Sequence, residues 1–275
     1  MERIRKQTMS RGALLFAFNS PRYNYYEMAV YTAKRINHFL GLPVTIVTDN
    51  ASIPENIDYH FDKVIIAEPD KSNIREHSIW INKGRYQAYK LSPYDETILL
   101  DTDYMVNSTK LSTLFDMPTD FCCHDTTSFL MHPDAVQEVL SVHSFTTLCA
   151  TVVMFKKTQR AKQIFECLEM VQKNYEHYAN IHNFIGGTYR NDYALTLATR
   201  IVNGHTNPKE DVIPWNLLHV GKNTSVYHNN NDVANTEYTV MVDNWQRGKI
   251  RKEYIIIKDT DFHVMNKDNF MELIK

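Results

Sequence analysis

The hydrophobic pattern of the first part of the chain alternates between short apolar runs and a helical spacing. Residues 13–18 form a continuous apolar run, and the mainly apolar segments 44–47 and 63–67 are predicted as the second and third buried strands. After the first run, apolar residues recur every three or four positions up to Gly41, which is typical of a helix and its stop. Continuous runs of this length predict strands that are buried on both faces. Strand, helix and strand with short connections predict a parallel, Rossmann-like sheet.

The pattern continues to the end of the chain without a repeat, a low-complexity tract or a linker. A helix is predicted at 83–91, and a short buried strand at 98–100. Later elements are predicted as a strand at 151–155, a helix at 158–171, a helix from Asn191 and a buried strand at 254–257.

Composition narrows the class of protein. Hydrophobic residues make up 43% of the 275 residues and charged residues 23%, which is ordinary for a soluble globular protein. The net charge of -2 excludes binding of a polyanion through bulk charge and leaves a local basic patch as the alternative. The chain has 8 glycines and no GxGxxG or P-loop pattern, so phosphate must be bound without a glycine-rich loop.

The cysteines and the N-terminus bear on the compartment. Cys122, Cys123, Cys149 and Cys167 follow neither a zinc-site spacing nor a disulfide framework, and we interpret them as reduced thiols of a cytoplasmic protein. The basic segment 1–11 lacks the apolar region of a signal peptide. No apolar run approaches the length of a membrane span, so we expect no membrane association.

Two carboxylates directly follow the predicted strand at 98–100. Asp101 and Asp103 are two residues apart, and because alternate side chains of a strand point to one face, they converge at the strand end, where open α/β sheets bind ligands. Carboxylates so close repel each other. A divalent cation that prefers oxygen ligands, Mn²⁺ or Mg²⁺, removes the conflict and leaves positions for a diphosphate. The alternative is a solvated acidic turn.

Residues 98–106 (ILLDTDYMV) resemble the strand-and-DxD segment of GT-A glycosyltransferases, with the galactosyltransferase and glycogenin branch as the nearest comparison. The resemblance extends over nearly the whole chain. It implies an α/β, Rossmann-like GT-A fold with a mixed central sheet flanked by helices. It also implies one domain over 1–275, with a nucleotide-sugar-binding half at about 12–106 and an acceptor-binding half at about 107–275. The implied reaction is metal-dependent transfer from a nucleotide sugar, a UDP-sugar, to an acceptor hydroxyl.

The same resemblance assigns donor-binding residues. Arg85 and Tyr86 match the family's helix arginine, which contacts the nucleotide sugar, and its neighbour. Segment 261–267 (DFHVMNK) resembles the late element that supplies a histidine to the metal and a lysine to the diphosphate. His263 is then the third metal ligand and Lys267 the phosphate contact. The family's usual His-x-x-Gly-x-x-Lys spacing is not kept, and its glycine is missing.

Further candidate residues follow predicted strands or begin a predicted helix. The resemblance places Phe18, Asn19 and Asp49 near the nucleoside, with turn formation as the alternative for Asn and Asp. Asp192 is the first candidate for a general base or an acceptor-binding acid. A carboxylate that only stabilises a helix N-terminus is the alternative there. Asp125 is the second candidate.

At finer grain, 93–95, 189–194, 204–206 and 213–216 resemble glycosyltransferase-like proteins of large tailed phages. That resemblance implies an acceptor in phage DNA, namely a hydroxymethylated pyrimidine such as 5-hydroxymethylcytosine, and a sugar such as glucose or arabinose. It also implies that the protein acts in the host cytoplasm.

Basic and aromatic residues are available for a DNA acceptor. Phosphate contacts need Lys and Arg, and a base in a duplex must be flipped onto a stacking surface. Residues 245–252 (WQRGKIRK) combine both types. Further basic residues are Arg3, Arg5, Lys6 and Arg11, and candidate stacking residues are Arg22, Tyr23, Tyr25 and Tyr26. The alternative is solvated loops and core tyrosines.

Three other functions compete with this interpretation. A haloacid-dehalogenase-type phosphatase also has a strand followed by DxD, but with Thr or Val two residues after the second Asp, where this chain has Met105. A glycosyltransferase acting on a glycan, lipid or protein is the second alternative. A non-catalytic nucleotide-binding protein is the third.

Overall fold

The computed structural model describes residues 9–56, 59–75, 78–130, 132–141, 144–184, 188–230, 232–246 and 249–275. The strands are β1 (Arg11–Phe16), β2 (Val44–Thr48), β3 (Lys63–Ile66), β4 (Ile74–Arg75), β5 (Ser78–Ile79), β6 (Glu96–Leu100), β7 (Tyr104–Met105), β8 (Phe121–His124), β9 (Thr127–Phe129), β10 (His132–Val136), β11 (Cys149–Lys156), β12 (Leu217–Val220), β13 (Thr224–His228), β14 (Glu237–Gln246), β15 (Lys249–Lys258) and β16 (Phe262–Val264). The α-helices are α1 (Tyr25–Leu40), α2 (Ala88–Leu91), α3 (Gln159–Lys173), α4 (Tyr175–His182), α5 (Asn191–Val202) and α6 (Lys267–Leu273). The 3₁₀ turns are Lys83–Gln87, Lys110–Asp116 and Lys209–Asp211.

The central sheet has six strands in the order β3-β2-β1-β6-β11-β8. The first four are parallel, and β11 runs antiparallel to both of its neighbours. Helices cover the sheet on both faces, which confirms the predicted α/β fold with a mixed central sheet and flanking helices.

The alternation of side chains explains why the sheet strands are continuous apolar runs. Leu14, Leu99 and Val153 belong to the core cluster that includes α3 and α5. Leu15 and Leu100, one position further along, belong to the cluster that includes α1. Strands β1, β6 and β11 therefore bury both of their faces, and each fully buried aliphatic side chain stabilises the fold by about 1.5–3 kcal/mol. The strand predicted as buried at 63–67 is wrong in its burial, because β3 is an edge strand in which Val64 and Ile66 are 43% and 48% exposed.

Helix α1 begins and ends where its capping residues require. The Asn24 side chain accepts a hydrogen bond from the Glu27 N–H (3.1 Å), which satisfies one of the free amides of the first turn. Gly41 adopts a left-handed φ of 62° and donates its N–H to the Asn37 carbonyl (3.1 Å). The stop predicted at Gly41 is confirmed, and it directs the chain into β2.

Besides the two-stranded sheet of β4 and β5, two further sheets complete the described fold. One has the order β10-β9-β12-β16-β7, and the other has the order β13-β14-β15. A third core cluster lies between these sheets and α6, and it contains Met105, Tyr238, Phe262 and Phe270. This second layer carries β16 and α6 to the end of β6.

Two elements differ from the prediction in their bounds or in their type of helix. The first strand is β1 (Arg11–Phe16) rather than 13–18, so Phe18 lies in the following loop. The helix predicted at 83–91 is a 3₁₀ turn followed by the one-turn helix α2.

The buried strand predicted at 254–257 is wrong in its burial. Tyr254 and Ile256 are both 65% exposed, whereas Ile257 is 6% exposed. These residues belong to β15, an edge strand of the three-stranded sheet, so only one of its faces packs on the core.

None of the described helices has the length and hydrophobicity that a membrane span requires. All four cysteines are free.

Candidate active site

The turn between β6 and β7 presents Asp101 and Asp103 at the carboxyl end of β6. Backbone hydrogen bonds hold it on two sides. The Asp101 N–H donates to the Thr151 carbonyl (3.0 Å), and the Val264 N–H donates to the Asp103 carbonyl (3.0 Å). The Asp101 side chain is partly exposed, whereas that of Asp103 is buried. Each aspartate is therefore fixed by a neighbouring strand.

Asp103 contacts two side chains from the end of the chain. Strand β16 runs antiparallel to β7, with His263 opposite Tyr104, and His263 Nε2 lies 3.3 Å from Asp103 Oδ1. Lys267 forms an ion pair with Asp103 Oδ2. Burial acts to raise the pKa of Asp103, but Lys267 and His263 outweigh it and hold that pKa well below its usual range. Burial acts to lower the pKa of Lys267, but Asp103 raises it above its usual value. Both partners are charged at neutral pH.

Asp101 is paired with a different cation. Arg85, in the 3₁₀ turn Lys83–Gln87, donates from Nη1 to Asp101 Oδ1. The guanidinium is largely buried, with 10% of the side chain exposed. Its Nη2 is buried without a hydrogen-bond partner among the residues that the structure describes. A buried donor of this kind costs about 1–3 kcal/mol, which favours a bound acceptor at this point.

His219 joins the site without having been singled out in the sequence. It lies in β12, which runs parallel to β16 and pairs His219 with His263. The two Nδ1 atoms are 3.0 Å apart. Burial lowers the pKa of His219 to about 3, with a further contribution from His263, so this ring is neutral at neutral pH. No local sequence signal paired its strand with one 44 residues further along the chain.

These side chains line one cavity of about 280 Å³. Asp101, Asp103, Arg85, His263 and Lys267 lie on its wall together, as the resemblance implied. The cavity continues past them into a second region formed by Asp125, β9, β11 and the start of α5. The arrangement suits a ligand with an anionic part and a second part that extends beyond it.

Both candidate catalytic acids line this second region. Asp192, in the first turn of α5, accepts a hydrogen bond from the Ala150 N–H (2.9 Å), and Arg190 Nη2 lies 3.6 Å from its Oδ2. Asp125 follows β8 and accepts a hydrogen bond from the Thr126 hydroxyl (2.7 Å). Asp192 is therefore tied to β11 through the Ala150 backbone, whereas Asp125 accepts its hydrogen bond from the next residue in the chain.

Not all of the residues expected to bind the nucleotide sugar line the cavity. Phe18 lines the cavity. Asn19 and Asp49 meet at Ser52, which accepts the Asn19 N–H at Oγ (2.7 Å) and donates its own N–H to Asp49 (3.0 Å). Tyr86 packs against the core. Asn19, Asp49 and Tyr86 are not among the described residues that line the cavity, and the polar contacts of the first two stabilise loops.

Asp101, Asp103 and His263 fit a divalent cation. One ligand atom from each residue lies within 4.8 Å of the others. Two carboxylates and one imidazole suit Mn²⁺, and the carboxylates also suit Mg²⁺. The charges agree with this, because Arg85 and Lys267 neutralise the two carboxylates here. A cation that carries a diphosphate would free both side chains to contact the phosphates.

The basic and aromatic residues that could contact DNA lie in different parts of the fold. Tyr25 lines the cavity, Tyr26 is buried, and Arg22 forms an ion pair with Asp268 (2.5 Å). Arg11 forms an ion pair with Glu96 (2.6 Å). Within 245–252, the side chains of Ile250, Arg251 and Lys252 are exposed. Arg3, Arg5, Lys6 and Arg247 lie outside the described residues.

No protein-family model matches the chain, and no curated protein matches it. Among solved structures it is similar to the galactosyltransferase LgtC in complex with donor and acceptor sugar analogs, at a TM-score of 0.44 and 14% identity over 68% of this chain and 69% of LgtC. It is also similar to mouse xyloside xylosyltransferase 1, at a TM-score of 0.42 and 12% identity over 78% and 85% of the two chains. A third similarity is to the glycosyltransferase GlyE of Streptococcus pneumoniae TIGR4, at a TM-score of 0.40 and 11% identity, where 70% of this chain covers 44% of GlyE. This chain thus spans less than half the length of GlyE. Because these TM-scores and identities are low, the activity of this chain must be argued from the residues of its own site.

Proposed function

We propose that this chain is a metal-dependent GT-A-type glycosyltransferase that transfers a sugar from a nucleotide sugar, a UDP-sugar, to an acceptor hydroxyl. One observation carries the proposal. Two carboxylates and an imidazole that fit a divalent cation converge with two cationic side chains at the carboxyl end of β6, in one cavity. The diphosphate of a nucleotide sugar has the negative charge that suits the cation and the two cationic side chains.

Asp101, Asp103 and His263 would hold Mn²⁺ or Mg²⁺. When bound, the ion stabilises the negative charge that develops on the leaving diphosphate. Arg85 contributes a buried Nη2 that needs an acceptor, and a phosphate oxygen provides one. Lys267 contributes a second charge beside the same carboxylates. These two side chains position the diphosphate and offset its charge.

The second region of the cavity receives the acceptor. The acceptor oxygen forms a bond to the anomeric carbon, the bond from that carbon to the diphosphate oxygen breaks, and the nucleoside diphosphate leaves with the electron pair. Asp125 accepts the proton of the acceptor hydroxyl as general base. Asp192, held by the Ala150 N–H and near Arg190, orients the acceptor through hydrogen bonds.

One observation favours a DNA acceptor, and another opposes it. Exposed Arg251 and Lys252 on β15 suit the phosphates of DNA carrying a hydroxymethylated pyrimidine. Asp125, Glu138 and Asp192 line the acceptor region and repel a polyanion at close range. A hydroxymethylcytosine base that enters the cavity while the DNA backbone stays outside avoids this repulsion. A neutral glycan hydroxyl is the second candidate.

A donor and acceptor screen tests the proposal. UDP-sugars are incubated with Mn²⁺ and either hydroxymethylcytosine DNA, unmodified DNA or neutral glycans, and both nucleoside-diphosphate release and sugar incorporation are measured. We expect release to depend on one donor and to rise with one acceptor. Asp101→Asn should abolish it, whereas Asp116→Asn, a change at an exposed acid, should not. Release of inorganic phosphate from simple phosphoesters instead would indicate a phosphatase.

A further inference from the structure

Three neighbouring strands align the side chains next to the cation site. In the sheet containing β9, β12 and β16, Phe129 is paired with His219, and His219 is paired with His263. The His219 ring lies 5.3 Å from the Phe129 ring between centroids, and its Nδ1 lies 3.0 Å from His263 Nδ1. His219 is thus held on one side by an aromatic ring and faces His263 on the other.

The two nitrogens of His263 face different partners. Nε2 points toward Asp103, at 3.3 Å from Oδ1, and Nδ1 points toward His219. A neutral imidazole has one N–H and one lone pair. If Nε2 offers its lone pair to a cation, Nδ1 must carry the proton and needs an acceptor. The facing atom that can accept is Nδ1 of His219.

We propose that His219 is a positioning residue that accepts a hydrogen bond from Nδ1–H of His263 and so directs the Nε2 lone pair of His263 at the cation. The inference rests on the proposed function, because it assigns His263 to a cation. Partners of a metal-bound histidine of this kind fix both its tautomer and its ring orientation. A histidine in this role must itself carry its proton on Nε2, so its Nδ1 is free to accept.

Substitutions at position 219 distinguish this role from simple packing. Asn places its Oδ1 acceptor close to where Nδ1 of histidine lies. Gln places its oxygen one bond further out, and Leu fills similar space without an acceptor. The assay measures Mn²⁺ affinity of the full chain in the presence of UDP by titration calorimetry. His177→Leu, at an exposed position on α4, is the control.

The expected pattern is specific to the acceptor atom. His219→Leu and His219→Gln should weaken Mn²⁺ binding by roughly 10- to 100-fold, and His219→Asn should stay within about threefold of the unmodified chain. Nitrogen NMR of histidine-labelled protein with Mg²⁺ and UDP should show His263 protonated at Nδ1, and His219→Leu should change that signal. If His219→Leu fails to fold, the difference in Mn²⁺ affinity between His219→Asn and His219→Gln still shows whether the acceptor atom matters.

Two results separate failure of this inference from failure of the proposed function. Equal Mn²⁺ affinity in the unmodified chain and all position-219 variants overturns the role of His219 and leaves the proposed function intact. Absence of Mn²⁺ binding by the unmodified chain in the presence of UDP contradicts the cation site itself. Equal weakening by Asn and Leu would show that packing, rather than the acceptor, matters at this position.

Discussion

Lys267 and Asp103 form a buried ion pair between residues that are 164 positions apart in the chain. Their side chains are 14% and 4% exposed. The same carboxylate is one of the three groups that fit a divalent cation. Lys267 therefore neutralises Asp103 when no cation is bound, and a cation must compete with it. A diphosphate relieves the competition, because it gives the lysine a new partner.

Replacing Lys267 should separate cation binding from nucleotide binding. Lys267→Met removes the competing charge, so we expect Mn²⁺ alone to bind at least about tenfold more tightly, a change of roughly 1.4 kcal/mol. The same variant should bind UDP more weakly in the presence of Mn²⁺, because a phosphate contact is lost. Calorimetric titrations with and without UDP measure both effects. Lys83→Met, which removes a half-buried lysine bonded to Ser72, serves as the control. Weaker binding of Mn²⁺ alone to Lys267→Met would contradict the competition.

The ion pair should also contribute to stability. Asp103→Asn leaves a buried ammonium without its carboxylate, which should lower the free energy of unfolding by about 3 kcal/mol. Adding Lys267→Met removes the unpaired charge, so the double variant should be more stable than Asp103→Asn alone. Urea unfolding of the unmodified chain, the two single variants and the double variant forms a double-mutant cycle, which gives the coupling free energy between the two side chains. A coupling near zero would show that the two charges do not stabilise each other.

His124 predicts a pH dependence. It is fully buried, neither ring nitrogen has a hydrogen-bond partner among the described residues, and burial, with a smaller effect of Lys110, lowers its pKa to about 3. The unfolded chain binds this proton near pH 6.5 and the folded chain does not. Stability from this group is therefore full above that pH and falls toward pH 3, by up to about 1.4 kcal/mol per pH unit.

His124→Leu should remove this slope. Between pH 7.5 and pH 5, the unmodified chain should lose roughly 2 kcal/mol relative to the variant, as measured by urea unfolding at both values. His219, whose pKa burial also lowers to about 3 with smaller contributions from His263 and His124, is present in both proteins, so its effect differs only by the part that His124 supplies. Asp261, whose pKa burial raises to about 6, acts in the opposite direction and is also common to both. If the free energy of unfolding depends on pH identically in the two proteins, the pKa of His124 is not lowered in the folded chain.

The two acids of the acceptor region should differ in their kinetic effects. Asp125→Asn removes the proposed base and should lower kcat for transfer by about 100-fold or more, with donor affinity unchanged. Asp192→Asn keeps an oxygen that can accept the Ala150 N–H, so the fold should hold, and the main effect should be a higher KM for the acceptor. Steady-state kinetics with donor and acceptor varied separately distinguish the two. The reverse pattern would exchange the two roles.

Much of the fold could be predicted because its signals are local. Leu14 and Leu99 lie in continuous apolar runs, and such runs occur when both faces of a strand are buried. The position of Asp101 and Asp103 at a strand end followed from the same signal. At 254–257, by contrast, consecutive apolar residues concealed an edge strand in which Tyr254 and Ile256 face outward.

The candidate site was predictable where a motif or a resemblance named the residue type. Arg85, His263 and Lys267 came from resemblance, and the structure brings them to one cavity. His219 could not be found in that way, because it reaches the site through the pairing of two short strands that are distant in sequence. Asn19 was singled out for its place after a strand, but its side chain contacts Ser52 and the Tyr26 N–H.

The most direct test of the central claim is metal-dependent release of a nucleoside diphosphate from a nucleotide sugar. The full chain is assayed with UDP-sugars after removal of divalent cations, then with Mn²⁺ or Mg²⁺ added back, and again after excess EDTA. The proposed site predicts release and transfer only with the cation, loss in EDTA and recovery on re-addition, with Asp101→Asn inactive throughout. Full activity in EDTA, or no release of nucleoside diphosphate from any sugar donor with Mn²⁺ present, would contradict it.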